Sequence, residues 1–273
     1  MTALTPPQIR LRKRRDGAAP LVMVTAYDEP GARCASEAGV DLILVGDSVA
    51  NVMLGHHDTL HVTVEQMAHH VAAVASAAPQ AHVVADLPWL SYHVSPEETV
   101  RNAAQLIRAG AGSVKLEGAT NRVPMVRALI NAEIPVMGHV GLTPQSMLAF
   151  GGFKVQAKTP AALELLLQGV SDLEAAGCYA IVVEGVPVAV GQKVTEQLSI
   201  PTIGIGAGPD TDGQVLVLHD LLGWTNRKPA KFVRAYADLN EVVTRAIAAF
   251  AADVRSGSFP ADHETYPTPD ELR

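Results

Sequence analysis

Short, continuously apolar runs that end on a polar residue recur along the chain. Leu42–Ser48 reads LILVGDS: four apolar β-formers, a glycine, then an acid and a hydroxyl. So short and so apolar a run suits a strand buried on both faces of a parallel sheet. The polar pair then falls at the C-terminal end, where α/β proteins keep their chemistry. The phrase returns downstream. Ala38-Gly39 leads to Asp47, Ala109-Gly110 leads through SVKLE to Glu117, and Ala176-Gly177 leads through AIVVE to Glu184. Each reads as helix end, glycine C-cap, buried strand, acid. HVVAD lacks the lead-in but ends the same way, on Asp86. Four acids at four strand ends point to one site.

Between these runs lie amphipathic stretches with helix signals. LVMVTAYD, Leu21 to Asp28, predicts the first strand, and Asp28 with Pro30 opens a helix. After LILVGDS comes a loop with His56, His57 and His61, and then a capping box, Thr63 with Gln66. Ser95, Pro96 and Glu98 repeat that device after HVVAD and the loop Leu87–His93. SVKLEG predicts the fourth strand and PVMGHV the fifth, with His139 at its end. The long loop GLTPQSMLAFGGFKVQ reads as a lid or binding element. IVVEG and PTIGIG are the sixth and seventh strands; QVLVLHD is an eighth strand or else a helix, since only PDTDG precedes it. From Lys231 to Arg255, Phe232, Tyr236, Leu239, Val243, Ile247 and Phe250 recur at helical spacing, for core or subunit packing. The expectation is an α/β fold, a (β/α)8 barrel: one catalytic domain over 1–273, with a short leading helix and a polar C-terminal tail.

Composition narrows the partners. The 273 residues are 48% hydrophobic and 18% charged, enough for one large core, with a net charge of −7. The only basic cluster is RLRKRR near the start, best read as a solvated helix face. Nucleic acid is therefore not expected as a partner. No apolar run of about 18 residues and no signal-peptide pattern is present, so no membrane is expected and the location reads as cytoplasmic. Two cysteines, Cys34 and Cys178, suggest buried thiols in a reducing compartment rather than a disulfide framework.

The strand ends suggest chemistry. Asp47 and Asp86 close adjacent strands, so their carboxylates can converge on one cation, and oxygen-only ligation suits Mg²⁺ better than zinc. Such a cation could chelate a 2-oxo acid and acidify the neighbouring C–H. Glu184, on a more distant strand, is then a candidate base. Lys115 and Glu117, two residues apart, lie on the same side of their strand, either as a structural ion pair or as part of the site. His139 occupies the same level, as a core histidine or an active-site one. The loop histidines form either a metal cluster or a solvated loop; the oxygen-rich acids favour the latter.

TAYD, VGDS, ADLP, KLEG, GHVGLTPQS, GGFKVQ, IGIGAG and DGQVLVLHDLLG, in that order, resemble the ketopantoate hydroxymethyltransferase family, from the first strand to Pro229-Ala230-Lys231-Phe232. The resemblance implies a (β/α)8 barrel in a homo-oligomer, commonly a decamer. It implies transfer of a one-carbon unit from 5,10-methylenetetrahydrofolate to 3-methyl-2-oxobutanoate, giving 2-dehydropantoate for pantothenate synthesis. Carried over by position, Asp47 and Asp86 match Mg²⁺ ligands, and Glu117 matches an acid beside the metal that acts directly or through water. Asp47, Ser48, Asp86 and Lys115 match the oxo-acid contacts, Glu184 the proton acceptor, and His139 an active-site histidine. Trp89 stands where the family usually has Phe, and Ala157 where it usually has Gly. Rival readings are a Mg²⁺ barrel of the phosphoenolpyruvate mutase or isocitrate lyase kind, a Schiff-base aldolase using Lys115, and a non-catalytic ligand-binding barrel. Those lyases use a cysteine, and neither Cys34 nor Cys178 sits at a strand end.

Overall fold

The computed structural model describes residues 2–270. Eight parallel strands close into a barrel in sequence order: β1 Leu21–Thr25, β2 Leu42–Val45, β3 His82–Asp86, β4 Ser113–Glu117, β5 Val136–Gly141, β6 Ala180–Glu184, β7 Thr202–Ile205 and β8 Gly213–Leu216. All residues of β2, β3 and β4 are buried, as strands covered by helices on one side and filling a barrel on the other must be. The ambiguous QVLVLHD segment is a strand that starts at Gly213 and stops at Leu216; a short helix, Leu218–Leu221, takes the rest. β1 is shorter than the segment LVMVTAYD, because Tyr27 and Asp28 leave the ladder for the turn that follows; β2 is the apolar run LILV, and Asp47 and Ser48 lie beyond its end.

The helix signals work as expected at Asp28, whose side chain accepts from Gly31 N, and at Thr63 and Gln66, which form the reciprocal box. Ser95 accepts from Glu98 N. The leading helix Pro6–Arg10 is only five residues long, and its Ile9 is fully buried in the interior cluster with Leu21, Leu42 and Met137. The basic run behind it is not a solvated face throughout. Lys13 is 2% exposed and donates to Asp212 Oδ2 at 2.7 Å and to Thr195 O at 2.8 Å. Asp212 also accepts from Arg14 N and Thr202 N, so one buried carboxylate fastens the entering chain to the starts of β7 and β8.

The chain divides into two compact units, Met1–Leu218 with Ala230–Val233, and His219–Pro229 with Arg234–Arg273. The first holds the barrel. The second holds the helix Leu239–Ser256, capped by Asp238, which accepts from Glu241 N. Phe232 and Tyr236 therefore precede this helix, although their spacing fits it. None of its residues is buried: of the stripe read from the sequence, Leu239 and Val243 are half-buried and Ile247 and Phe250 exposed, as are the neighbouring Val242 and Val254. Of the polar tail, residues 271–273 lie outside the described residues. Among the described residues no helix is long and apolar enough to cross a membrane.

Candidate active site

Asp47, Asp86, Glu117 and Glu184 converge at the C-terminal mouth of the barrel, around a cavity of about 130 Å³ that Ser48, Lys115, His139 and Phe153 also line. That volume is below the roughly 300–1,000 Å³ of a drug-sized ligand pocket and suits only a molecule of a few heavy atoms. A groove along the helix Pro160–Ala176 is larger, about 330 Å³, but its lining of Leu163, Leu167, Gln168 and Gln197 brings no acids together.

After β2, Gly46 lets the backbone turn close against β3. A Cβ there would meet Ser48 Oγ at 2.9 Å and Asp86 Oδ2 at 3.5 Å. Asp47 N donates to Asp86 Oδ2 at 3.0 Å, tying the two acidic strand ends together. Ser48 Oγ lies 2.8 Å from Tyr27 OH. Lys115 Nζ stands 2.8 Å from Asp86 Oδ1 and 3.1 Å from His139 Nδ1. His139 also lies 3.2 Å from Glu117 Oε1 through Nδ1 and 3.2 Å from Glu184 Oε2 through Nε2. The last contact is close but is not aligned as a hydrogen bond. Gly141 ends β5 at φ +91°, where a Cβ would collide with Glu184 O. Glycine there lets the next loop pass over the end of β6.

All the sequence-derived site residues meet at this mouth. Three were missed. Gln145, in the loop after β5, donates through Nε2 to Asp47 Oδ2 at 2.8 Å and through its backbone N to Glu117 Oε2 at 3.0 Å. Tyr92, in the loop after β3, donates to Gln145 Oε1 at 2.7 Å, and Tyr27 meets Ser48. The loop histidines stay apart from the acids' chemistry: His56 stacks on His61, whose Nδ1 lies 2.9 Å from Asp58. Cys34 is exposed rather than buried; Cys178 is buried, which pushes its thiol up to about 12. Neither lines the cavity.

Four carboxyl groups share this space with one ammonium. Burial pushes the Asp47 carboxyl well above the usual range, and the charges of Asp86 and Glu117 add to it, against Lys115 and the Gln145 hydrogen bond. Glu117 is pushed up to about 8 by burial, with Lys115 opposing and Asp86 reinforcing. Burial also raises Glu184, with His139 opposing, and it lowers His139, helped by Lys115. Lys115 goes the other way: burial works against its charge, but Asp86, Glu117 and Asp47 outweigh burial and raise it.

Such crowding is what a bound hard cation would relieve. Asp86 Oδ1 is buried with the Lys115 ammonium 2.8 Å away but not aligned as a hydrogen bond, and the acids nearby offer oxygen ligands. Among the described residues no three His, Cys, Asp or Glu side chains form a ready metal cluster. The site fits an ion held by one or two carboxylates and completed by water and substrate oxygens, which is the habit of Mg²⁺.

A closed eight-stranded barrel with acids, an ammonium and an imidazole gathered at its C-terminal mouth defines a (β/α)8-barrel enzyme. Residues 5–262 match the profile of ketopantoate hydroxymethyltransferase, and the chain belongs to that family. It is 52% identical over 253 residues to the 3-methyl-2-oxobutanoate hydroxymethyltransferase of Methylobacterium sp. (strain 4-46), covering 93% of this chain and 88% of that one. It is 51% identical over 255 residues to the enzyme of the same name from Koribacter versatilis (strain Ellin345), covering 93% and 86%. Among solved structures it resembles a phosphonopyruvate hydrolase in complex with oxalate and Mg²⁺, with TM-score 0.62, 14% identity and coverage of 96% and 93%. It also resembles 2,3-dimethylmalate lyase, a member of the PEP mutase/isocitrate lyase superfamily, with TM-score 0.61, 18% identity and coverage of 98% and 93%. At those identities the likeness is one of fold.

Proposed function

We propose that the chain transfers a hydroxymethyl group from 5,10-methylenetetrahydrofolate to C3 of 3-methyl-2-oxobutanoate, forming 2-dehydropantoate in the cytoplasm for pantothenate synthesis. The observation that carries this reading is the division of the mouth: Asp47 and Asp86 joined on one side, Glu184 with His139 on the other. Asp47 and Asp86 would hold Mg²⁺, with Glu117 beside it, directly or through water. When bound, Mg²⁺ polarises the 2-oxo group and makes the adjacent C3–H more acidic. Lys115 and Ser48 hold the carboxylate of the oxo acid, the ammonium by charge and the hydroxyl by a hydrogen bond. Glu184 takes the C3 proton, and its raised affinity for protons suits that role at neutral pH. Overall the C3 electron pair forms the bond to the one-carbon unit, both C–N bonds that hold this carbon to the folate break, water supplies its hydroxyl group, and the two folate nitrogens take up the C3 proton and the remaining water proton as tetrahydrofolate departs. The barrel carries the chemistry of one catalytic domain. The exposed stripe on the helix Leu239–Ser256 suits the homo-oligomer that the family resemblance implies, a decamer.

The test is proton exchange at C3 of 3-methyl-2-oxobutanoate in D₂O, followed by NMR. Exchange is expected with Mg²⁺ even without folate, and loss of exchange on chelation, restored by Mg²⁺. Full exchange in metal-free protein, or borohydride trapping of the oxo acid on Lys115, would move the assignment to Schiff-base chemistry.

A further inference from the structure

Gln145 has more polar contacts to the site's acids than any role in the preceding reaction requires. It is 5% exposed and, like the buried Tyr92, is not among the residues lining the cavity. Its Nε2 donates to Asp47 Oδ2 at 2.8 Å and to Leu87 O at 3.0 Å, its Oε1 accepts from Tyr92 OH at 2.7 Å, and its backbone N donates to Glu117 Oε2 at 3.0 Å. The chain of bonds closes on itself, because Glu117 N donates to Tyr92 OH at 3.2 Å.

This closure leaves the amide only one orientation. A backbone N–H can only donate, so the Tyr92 oxygen accepts from Glu117 and sends its own proton to Gln145 Oε1. Nε2 must then face Asp47 and Leu87, both acceptors; the flipped amide would set oxygen against oxygen at both. One residue thereby commits Oδ2 of Asp47 and Oε2 of Glu117 to fixed donors. Asp47 and Glu117 both line the cavity, and Glu117 Oε1 there lies 3.2 Å from His139 Nδ1. The Tyr92 ring is itself held, with Arg122 Cζ 5.3 Å above its centroid.

We propose that Gln145, oriented by Tyr92, is the positioning residue that sets the carboxylates of Asp47 and Glu117 for binding a divalent cation. This rests on the reading that the acidic mouth takes Mg²⁺. Substitution of a group that holds a metal ligand typically costs about 10–100-fold in metal affinity. Both a merely structural role and a positioning role predict lost stability; only the second predicts weakened ion binding in the fraction that remains folded.

The experiment measures Mg²⁺ affinity by calorimetry, without oxo acid or folate, on wild type, Gln145→Met and Tyr92→Phe, with folding checked by circular dichroism. Gln145→Met keeps the length and removes all three side-chain amide hydrogen bonds. It should weaken Mg²⁺ by about 10–100-fold, and activity should recover as Mg²⁺ is raised. Tyr92→Phe removes both neutral hydrogen bonds of that hydroxyl, the one to Gln145 Oε1 and the one from Glu117 N, and should cost about tenfold or less; it also serves if the first variant does not fold. Adding Tyr92→Phe to Gln145→Met should change little, since both act through one amide. Unchanged Mg²⁺ affinity in a folded variant overturns the proposal. A folded wild type that binds no Mg²⁺ would remove instead the functional reading on which it rests.

Discussion

Lys115 and Asp86 are paired twice over: they are register partners across β3 and β4, and Lys115 Nζ lies 2.8 Å from Asp86 Oδ1. Both side chains are 4% exposed. A buried pair of this kind gains Coulomb energy but loses hydration on both charges, so its presence alone says little about stability. Its position says more. Asp86 Oδ2 is already bonded to Asp47 N, and Lys115 also reaches His139, so the ammonium bridges the proposed cation side of the mouth to the proposed base side. An anionic substrate entering there meets a cation already held charged by three acids.

Lys115→Met should therefore act on binding and on stability together. Losing a charge-assisted contact to the oxo-acid carboxylate should raise KM by about 10–100-fold. Leaving Asp86 buried without its partner should destabilise the metal-free protein by about 3–5 kcal/mol, and Mg²⁺ should restore part of it. Steady-state kinetics and urea denaturation with and without Mg²⁺ measure both. A lowered stability with an unchanged KM would make the pair structural only.

What the sequence made legible follows from the barrel's physics. Strands buried on both faces announce themselves by composition, so LILV, HVVA and AIVV were readable, as were the acids at their ends. The caps at Asp28 and Thr63 are local and were equally clear. What failed to show depends on distant partners. Nothing in RLRKRR says that Lys13 is buried, because its partner Asp212 lies 199 positions away. Gln145 sat in a motif but had no visible role, since Asp47 is 98 positions off. Phe232 and Tyr236 have helical spacing, yet the cap at Asp238 starts the helix after them.

Acid should loosen the opposite end of the barrel through His82. This buried first residue of β3 has Nε2 2.8 Å from Ser113 Oγ, which lies 2.8 Å from Tyr179 OH. Burial pulls the imidazole down to about 4, with the Leu4 backbone opposing. The unfolded chain protonates near 6.5 and the folded chain does not, so stability falls as pH drops from about 6.5 to about 4, by about 3 kcal/mol for this group. His82→Gln keeps a hydrogen-bonding side chain without the titration, and its stability should vary less across that window. Equal slopes in wild type and variant would show that His82 does not carry the effect.

Ala157 occupies a backbone position that favours glycine, at φ +52°. The Gly that the resemblance implies at this position would have a conformational reason. A left-handed non-glycine residue costs roughly 1–2 kcal/mol, while glycine's greater freedom in the unfolded chain gives back about 0.5–1. Ala157→Gly should therefore stabilise the protein by about 0.5–1 kcal/mol, seen as a small rise in Tm. A fall in Tm would mean that the loop after Gln156 does not hold this conformation in solution.

Glu184→Gln isolates the proton transfer. Glu184 closes β6 with its side chain 15% exposed, the most open of the charged groups it meets, and its Oε2 lies 3.2 Å from His139 Nε2. Asp47 and Asp86 are joined to each other on one side of the mouth, so Glu184 on the other can face the substrate without joining the proposed cation site. Burial raises its proton affinity and His139 moderates the rise, which brings a carboxylate nearer to the strength a C–H base needs. Gln keeps the shape and removes the acceptor. A positioned base contributes about 10²–10⁴-fold, so C3 exchange and one-carbon transfer should both fall by about that factor. Mg²⁺ and oxo-acid affinities should stay near wild type, because neither is assigned to this carboxylate. Losing affinity in step with exchange would place Glu184 in the binding site instead. Normal exchange would transfer the base to His139, and His139→Gln would then have to abolish it.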